Sequence, residues 1–316
     1  MKTDISDRKP ELIKLNNSIR FGRGNISWGS KLGGYYQDFR PAISNLISQQ
    51  FGQFDSQGLP MLGFGKNAVY NPVYLAQYGL MLHDDMIDHK NDHTFLLKRI
   101  LDWFHNNKEI FKDTYIWPSP IENKKYNLKK GWVSGMYQGQ VISLFLRAYQ
   151  LIGDEKYLAI PDAAINLFKY DTQEGGVIRI DEKGYLWIEE YPSQTGSYVL
   201  NGFIYAVLGL IDYFRITRSA EVKELIDHSL YTLKSNVKNY DLGYWSKYDL
   251  LKEELVSDYY QINIHVGLMS VLYELTKEEV FSYYSNKWES NYNNNFSRKV
   301  LVPIMKRVQP RLKKWI

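Results

Sequence analysis

Four stretches of the chain follow one plan: an apolar, helix-length run with a glycine on its apolar stripe, then a second helical run. Residues 73–82 are followed by 95–104, 136–151 by about 156–170, 197–216 by 221–237, and 262–275 by 279–291. The four glycines are Gly79, Gly139, Gly202 and Gly267, spaced 60, 63 and 65 residues apart. Helix pairs recurring at this period predict a stacked or closed array of α-hairpins. The expected fold is all-α, an (α/α) toroid-like barrel. A glycine inside a helix costs about 1 kcal/mol relative to alanine. Four in register therefore predict close helix packing or backbone access to a ligand, and packing is the expectation.

Between the second and third pairs, GGVIRIDEKGYLWIEEY reads as a β-hairpin, with strands at 177–180 and 185–188 around a turn at 181–184. A hairpin and long loops over one mouth of the barrel predict a cleft for an extended polymer. The chain divides into a polar extension at 1–40, the helical domain at 41–297 and a basic tail at 298–316. In that tail Arg298, Lys299, Lys306, Arg307, Arg311, Lys313 and Lys314 alternate with apolar residues. It reads as a final helix with a solvated basic face, broken by Pro303 and Pro310. Peripheral contact with an anionic membrane stays open beside that reading.

Composition removes several classes of chemistry. With no cysteine among 316 residues there are no disulfides, thiolate nucleophiles or Cys-ligated metals. A net charge of +4 gives no reason to expect nucleic acid. The first 24 residues carry charges throughout, and no run approaches the ~18 apolar residues of a membrane span, so a cytoplasmic address is expected. The segment HDDMIDHKNDH, His83 to His93, resembles a metal site, but it falls between two helices, where Asp and Asn serve as caps. No metal is assigned. GFGKN at 63–67 lacks the context of a phosphate loop, and no GxSxG elbow occurs.

What remains is polar and aromatic: Trp132, GMYQGQ with Tyr137, WIEEYP, Asn201, Tyr205, SKYDL, and DYYQINIH ending in His265. Rings interleaved with amides and carboxylates suit sugars, whose C–H faces stack while their hydroxyls take directional hydrogen bonds. With 26 tyrosines present, most must be packing.

The runs GMYQGQVISLFLRAYQL, EEYPSQTGSYVLNGFIYAVLGLIDY and DYYQINIH resemble the C-terminal helical domain of the D-glucuronyl C5-epimerases, which convert D-glucuronate to L-iduronate within heparan-type polymers. YNPVYLAQYGL, at 70–80, resembles a more N-terminal segment of that family. The resemblance covers roughly residues 65–82 and 131–275. It implies a catalytic group of Glu190, Tyr191, Tyr248 and Tyr259, with substrate contacts at Asn201 and Tyr205. Gln138 and Gln140 match the family's QGQ motif near the cleft, and Tyr137 and His265 join the substrate side. No cofactor is implied. The implied partner is an acidic polysaccharide containing glucuronate, and a homodimer stays open.

Inverting C5 of a uronate means removing a carbon-bound proton from one face and delivering one to the other. The expected carriers are Tyr259 and the Glu190/Tyr191 pair, with Tyr248 on the substrate carboxylate or ring. Three departures from the family stand out. The β-barrel domain of vertebrate members, and the metal ion bound outside their helical domain, have no counterpart in the short stretch between Leu80 and Gly131. Leu251 replaces an arginine that pairs with the substrate carboxylate, leaving Lys252, Lys247 or Arg179 for that charge. Tyr74 and Asn71 stand where the family has Gln and Tyr. The rivals are a uronate polysaccharide lyase, a noncatalytic glycan-binding subunit, and a hydrolase with two carboxylates at a defined separation.

Overall fold

The computed structural model describes residues 19–41 and 52–312, with side chains to residue 308. Asn71 accepts the Val73 N–H at 2.9 Å, and Pro72, which has no N–H to lose, opens helix α1 (Pro72–His89). Helix α2 (Thr94–Asn106) follows and packs against it. Ser134 caps α3 (Gly135–Ile152), which stops at Gly153 in the left-handed conformation. The next segment is not the single helix expected at 156–170. Only α4 (Ala159–Ala164) is α-helical, between 3₁₀ turns at Glu155–Leu158 and Ile165–Lys169. Pro161 supplies a physical reason, because its ring opposes the carbonyl four residues back.

The third hairpin is α5 (Leu200–Thr217) and α6 (Ala220–Asn236). The fourth begins with a short α7 (Asp258–Tyr260), widens into a π-helical turn at Gln261–Val266 and continues as α8 (Gly267–Thr276), with α9 (Glu279–Asn293) packed against it. A second π turn, Ser297–Leu301, leads into α10 (Val302–Leu312). The helix runs through Pro303 rather than breaking there; the wide turn before it makes room for a residue without an N–H.

The described strands are short and pair antiparallel. They are β1 (Gly22–Arg23) with β2 (Gln37–Asp38), the meander β3 (Gly52–Phe54), β4 (Pro60–Leu62) and β5 (Val69–Tyr70), and two hairpins, β6 (Glu109–Phe111) with β7 (Thr114–Ile116) and β8 (Ile178–Ile180) with β9 (Leu186–Ile188). The last is the hairpin the sequence predicts, with Arg179 opposite Trp187 and Gly184 at φ +81° closing the turn.

The first helices of the hairpins stand side by side: α1 on α3, α3 on α5, and α5 on the π turn before α8. A Cβ at Gly139 would lie 2.8 Å from the Ala206 Cα, and one at Gly209 would lie 2.4 Å from the Gly139 Cα. The α3–α5 crossing is thus made backbone to backbone. Gly79 also packs, against Leu144 and Ile100. Gly202 and Gly267 do something else, since their missing side chains leave room for Glu190 and Gln37. Gly139→Ala is expected to destabilise the fold by about 2 kcal/mol, because overpacking outweighs the gain in helix propensity. Urea unfolding measures this, and a variant as stable as the parent would show slack at the crossing.

Residues 19–41 pack on the helices. Leu32, Tyr35, Tyr36 and Phe39 are buried in the main core. A buried ion cluster fastens them: Asp212 of α5 pairs with Arg147 of α3 at 2.5 Å and with Arg215 at 3.3 Å, and accepts the Tyr36 hydroxyl at 2.9 Å. The two guanidinia reach onward to the carbonyls of Gly33, Gly29 and Lys31.

The His83–His93 segment is mostly helix, not linker, since α1 runs to His89. Its charges tie α1 to its surroundings. Asp84 accepts the Tyr35 N–H at 2.9 Å, and Asp85 contacts both His89 and His93 at 2.7 Å. Among the described residues no three His, Asp or Glu side chains are arranged to hold a metal.

Candidate active site

A cavity of about 460 Å³ opens where the loop after β9, the start of α5 and the start of α7 meet, with α1 and α3 behind. Glu190 lies two residues past the end of β9, so the hairpin fixes its position, and its carboxylate occupies the gap left by Gly202. The Tyr248 hydroxyl donates to its Oε1 at 3.3 Å, and the Asn201 amide approaches Oε2 at 3.5 Å. Burial pushes Glu190 up to about 7, while hydrogen bonds from Tyr191 and Tyr248 and the charge of Lys125 pull the other way. A carboxyl at that value exchanges protons readily at neutral pH. Its neighbour Glu189 plays a different part, accepting from the Ser197 N–H and hydroxyl, the Tyr198 N–H and Arg179, and so tying down the loop.

Phenols surround Glu190. Tyr191 stacks on Tyr126 at 4.5 Å, and Tyr248 meets Tyr260 edge to face at 5.5 Å. Burial raises Tyr191, Tyr248 and Tyr260 well above their ordinary value. Each is therefore a proton donor at rest, and the group poised to accept is Glu190. Tyr259 stands apart, against Phe21 at 5.9 Å, and burial alone raises it. The Tyr205 hydroxyl donates to Gln37 Oε1 at 2.5 Å, and Gln37 Nε2 donates in turn to the Asn263 carbonyl.

Of the residues given a catalytic or substrate-binding role from the sequence, Glu190, Tyr191, Tyr248, Tyr259, Asn201, Tyr205 and Tyr137 all line this cavity, beside Asn71, Tyr74 and Trp132. The others do not. Gln138 donates to the carbonyls of Tyr115 and Ala164, holding β7 and α4 to α3. Gln140 is buried and faces Gln77, which lines the cavity in its place. Arg179 is engaged by Glu189 and the Ser193 carbonyl. Lys247 pairs with Glu253 at 2.7 Å, and exposed Lys252 lies outside the lining. His265 is enclosed, with Nδ1 2.7 Å from the Ser246 hydroxyl, and burial pushes it down to about 3, so it is a neutral packing residue.

Sequence reasoning missed Tyr260, Tyr126, Asp249, Gln37 and Lys125. The Lys125 ammonium sits 4.7 Å over the Tyr248 ring and 3.1 Å from Asp249, which also accepts the Tyr126 hydroxyl at 2.6 Å. Among the described residues lining the cavity there is no lysine or arginine, so Lys125 stands behind the phenols as a nearby charge. KKYNLKK carries no periodic or motif signal for this. Tyr260 was visible, adjacent to Tyr259 in DYY.

The sequence model for the D-glucuronyl C5-epimerase C-terminus matches residues 111–290. The D-glucuronyl C5-epimerase of Caenorhabditis elegans is 32% identical over 232 residues, which is 66% of this chain and 37% of that protein. An uncharacterized protein of Methanocaldococcus jannaschii, MJ1128, is 36% identical over 176 residues, 55% of this chain and 56% of its own length. The chain thus spans about half or less of the curated relatives it matches. A crystal structure of a family 76 glycoside hydrolase from a bovine Bacteroides thetaiotaomicron strain aligns over 80% of this chain and 52% of its own, at 12% identity and a TM-score of 0.43. The matched segment covers more than half of the chain and contains Glu190, Tyr191, Tyr248 and Tyr259, and by it the chain belongs to the D-glucuronyl C5-epimerase family.

Proposed function

We propose that this protein inverts C5 of D-glucuronate residues to L-iduronate in an acidic polysaccharide, by proton transfer on the two faces of the ring. The observation that carries this reading is Glu190, buried, pushed up to about 7, and in hydrogen-bond contact with a protonated phenol. On one face the C5–H bond breaks, and its proton passes to the Tyr248 oxygen as the phenol proton moves to Glu190. On the other face Tyr259 delivers its phenol proton to C5. Solvent exchange then returns both groups to their starting states. The transient charge on the substrate carboxylate needs donors; the neighbouring phenols and the Asn201 amide provide them, with Lys125 behind. Asn201 Oδ1 is buried without a partner among the described residues, an acceptor available to a sugar hydroxyl. The scaffold reads as an (α/α) toroid-like ring whose ends are bridged by residues 35–37, since Tyr35 bonds to Asp84 of α1 and Gln37 to Asn263 of the last hairpin.

Incubation with a glucuronate polymer in D₂O tests this. Deuterium at C5 with intact chains is the expected result. Unsaturated ends would assign a lyase, cleavage without them a hydrolase, and binding without exchange a noncatalytic subunit. Tyr259→Phe is expected to reduce exchange at least ~100-fold, the scale of a lost acid–base group, with polymer binding within a few-fold. Activity surviving that change would remove Tyr259 from its role.

A further inference from the structure

Far along the chain from the cavity residues, the last helix carries an apolar row that the other described residues leave exposed. Phe296, Val300, Ile304 and Val308 recur every four residues along the π turn and α10, exposed by 65%, 42%, 49% and 36%. Another side of the same segment is the packed one, where Val302 is buried and Met305 partly buried against a cluster of Trp245, Leu255, Val256 and Tyr292. The helix is therefore apolar on two sides, and the fold uses one of them. Single exposed apolar residues are ordinary, whereas four in a row spanning about 18 Å are not.

The charges around the row identify what covers it. After Glu289 the sequence contains no Asp or Glu, while Arg298, Lys299, Lys306 and Arg307 accompany the row and Arg311, Lys313 and Lys314 follow. Lys299, Lys306 and Arg307 are exposed. A second copy docking here about a two-fold axis would set these cations against their own equivalents. A hydrated polyanion would use the cations and leave the apolar row in water. An anionic lipid surface uses both, because apolar side chains enter the boundary between headgroups and acyl chains while the cations meet phosphates. No helix among the described residues is long and apolar enough to cross a membrane, so such a contact is peripheral.

We propose that the segment from Phe296 to Leu312 is a membrane-surface helix that docks this protein on anionic lipid. The inference is independent of the reaction proposed above. The whole chain is sedimented with vesicles of phosphatidylcholine alone and of phosphatidylcholine mixed with an equal amount of phosphatidylglycerol. Binding to the mixed vesicles only, weakening as salt rises, is expected. Val300→Ser with Ile304→Ser is expected to lower that binding about tenfold, as methylene burial is lost. Lys299→Gln with Arg307→Gln is expected to lower it roughly fivefold for each charge removed. Neither pair should change the thermal midpoint or C5 exchange on soluble polymer. Failure of the whole chain to sediment with the mixed vesicles overturns the proposal, as does unchanged binding by the serine pair. A concentration-dependent dimer abolished by the serine pair would also overturn it, assigning the row to a second copy.

Discussion

Replacing Glu190 with glutamine is expected to lower C5 exchange at least ~100-fold and, at the same time, to stabilise the folded protein above pH 7. Folding raises this carboxyl from its ordinary 4.5 to about 7. Between those values the folded state keeps a proton that the unfolded state has lost, so stability falls as pH rises through the window. The fall is complete above about pH 7 and amounts to about 3 kcal/mol, at 1.36 kcal/mol per unit. Glutamine has no charge to desolvate and so carries no such loss. It also fits the hydrogen bonds: its carbonyl can accept from Tyr248, and its amide can donate to the Asn201 Oδ1 that now lacks a partner. Urea unfolding at pH 5 and pH 8 measures the effect. The parent should lose stability between the two and the variant should not. Parallel behaviour would show that Glu190 is not held near neutrality. The same titration predicts that exchange by the parent rises with pH through about 7, as Glu190 becomes able to accept.

Asp212→Asn is expected to destabilise the protein by about 3–5 kcal/mol, because it leaves two enclosed guanidinia without their shared counter-charge. The side chains of Arg147, Arg215 and Asp212 are all at 0% exposure, so water cannot compensate. The consequence extends to the site. Arg147 and Arg215 hold residues 29–33, and Tyr36, which donates to Asp212, is next to Gln37, the acceptor of the Tyr205 hydroxyl. Loosening this strap should expose it to protease near residues 27–36 under conditions where the parent resists, and should lower C5 exchange through Tyr205. A urea midpoint shift below the equivalent of about 1 kcal/mol would show that the cluster contributes little beyond its packing.

These two sites also mark how far the sequence can be read. By itself it determined the hairpin periodicity, the β8–β9 turn and the runs around Glu190, Tyr191, Tyr248 and Tyr259. Apolar spacing, caps and turn residues act over a few neighbouring positions, so they are visible in the order of residues. The π turn after Tyr260 and the 3₁₀ turns around Pro161 were not visible as such, because both depart from the 3.6-residue period. Only the tertiary structure decided which polar side chains reach the cavity. Gln138, Gln140, Arg179 and His265 looked equivalent to Asn201 in sequence, yet each lies enclosed or engaged outside the cavity, as buried polar groups must be paired where they fall. Lys125, Tyr126, Gln37 and Asp212 gave no sequence signal, because their roles depend mostly on contacts with residues 65 to 226 positions away. A buried charge or amide must find its counterpart in space, and chain distance says nothing about where that counterpart lies.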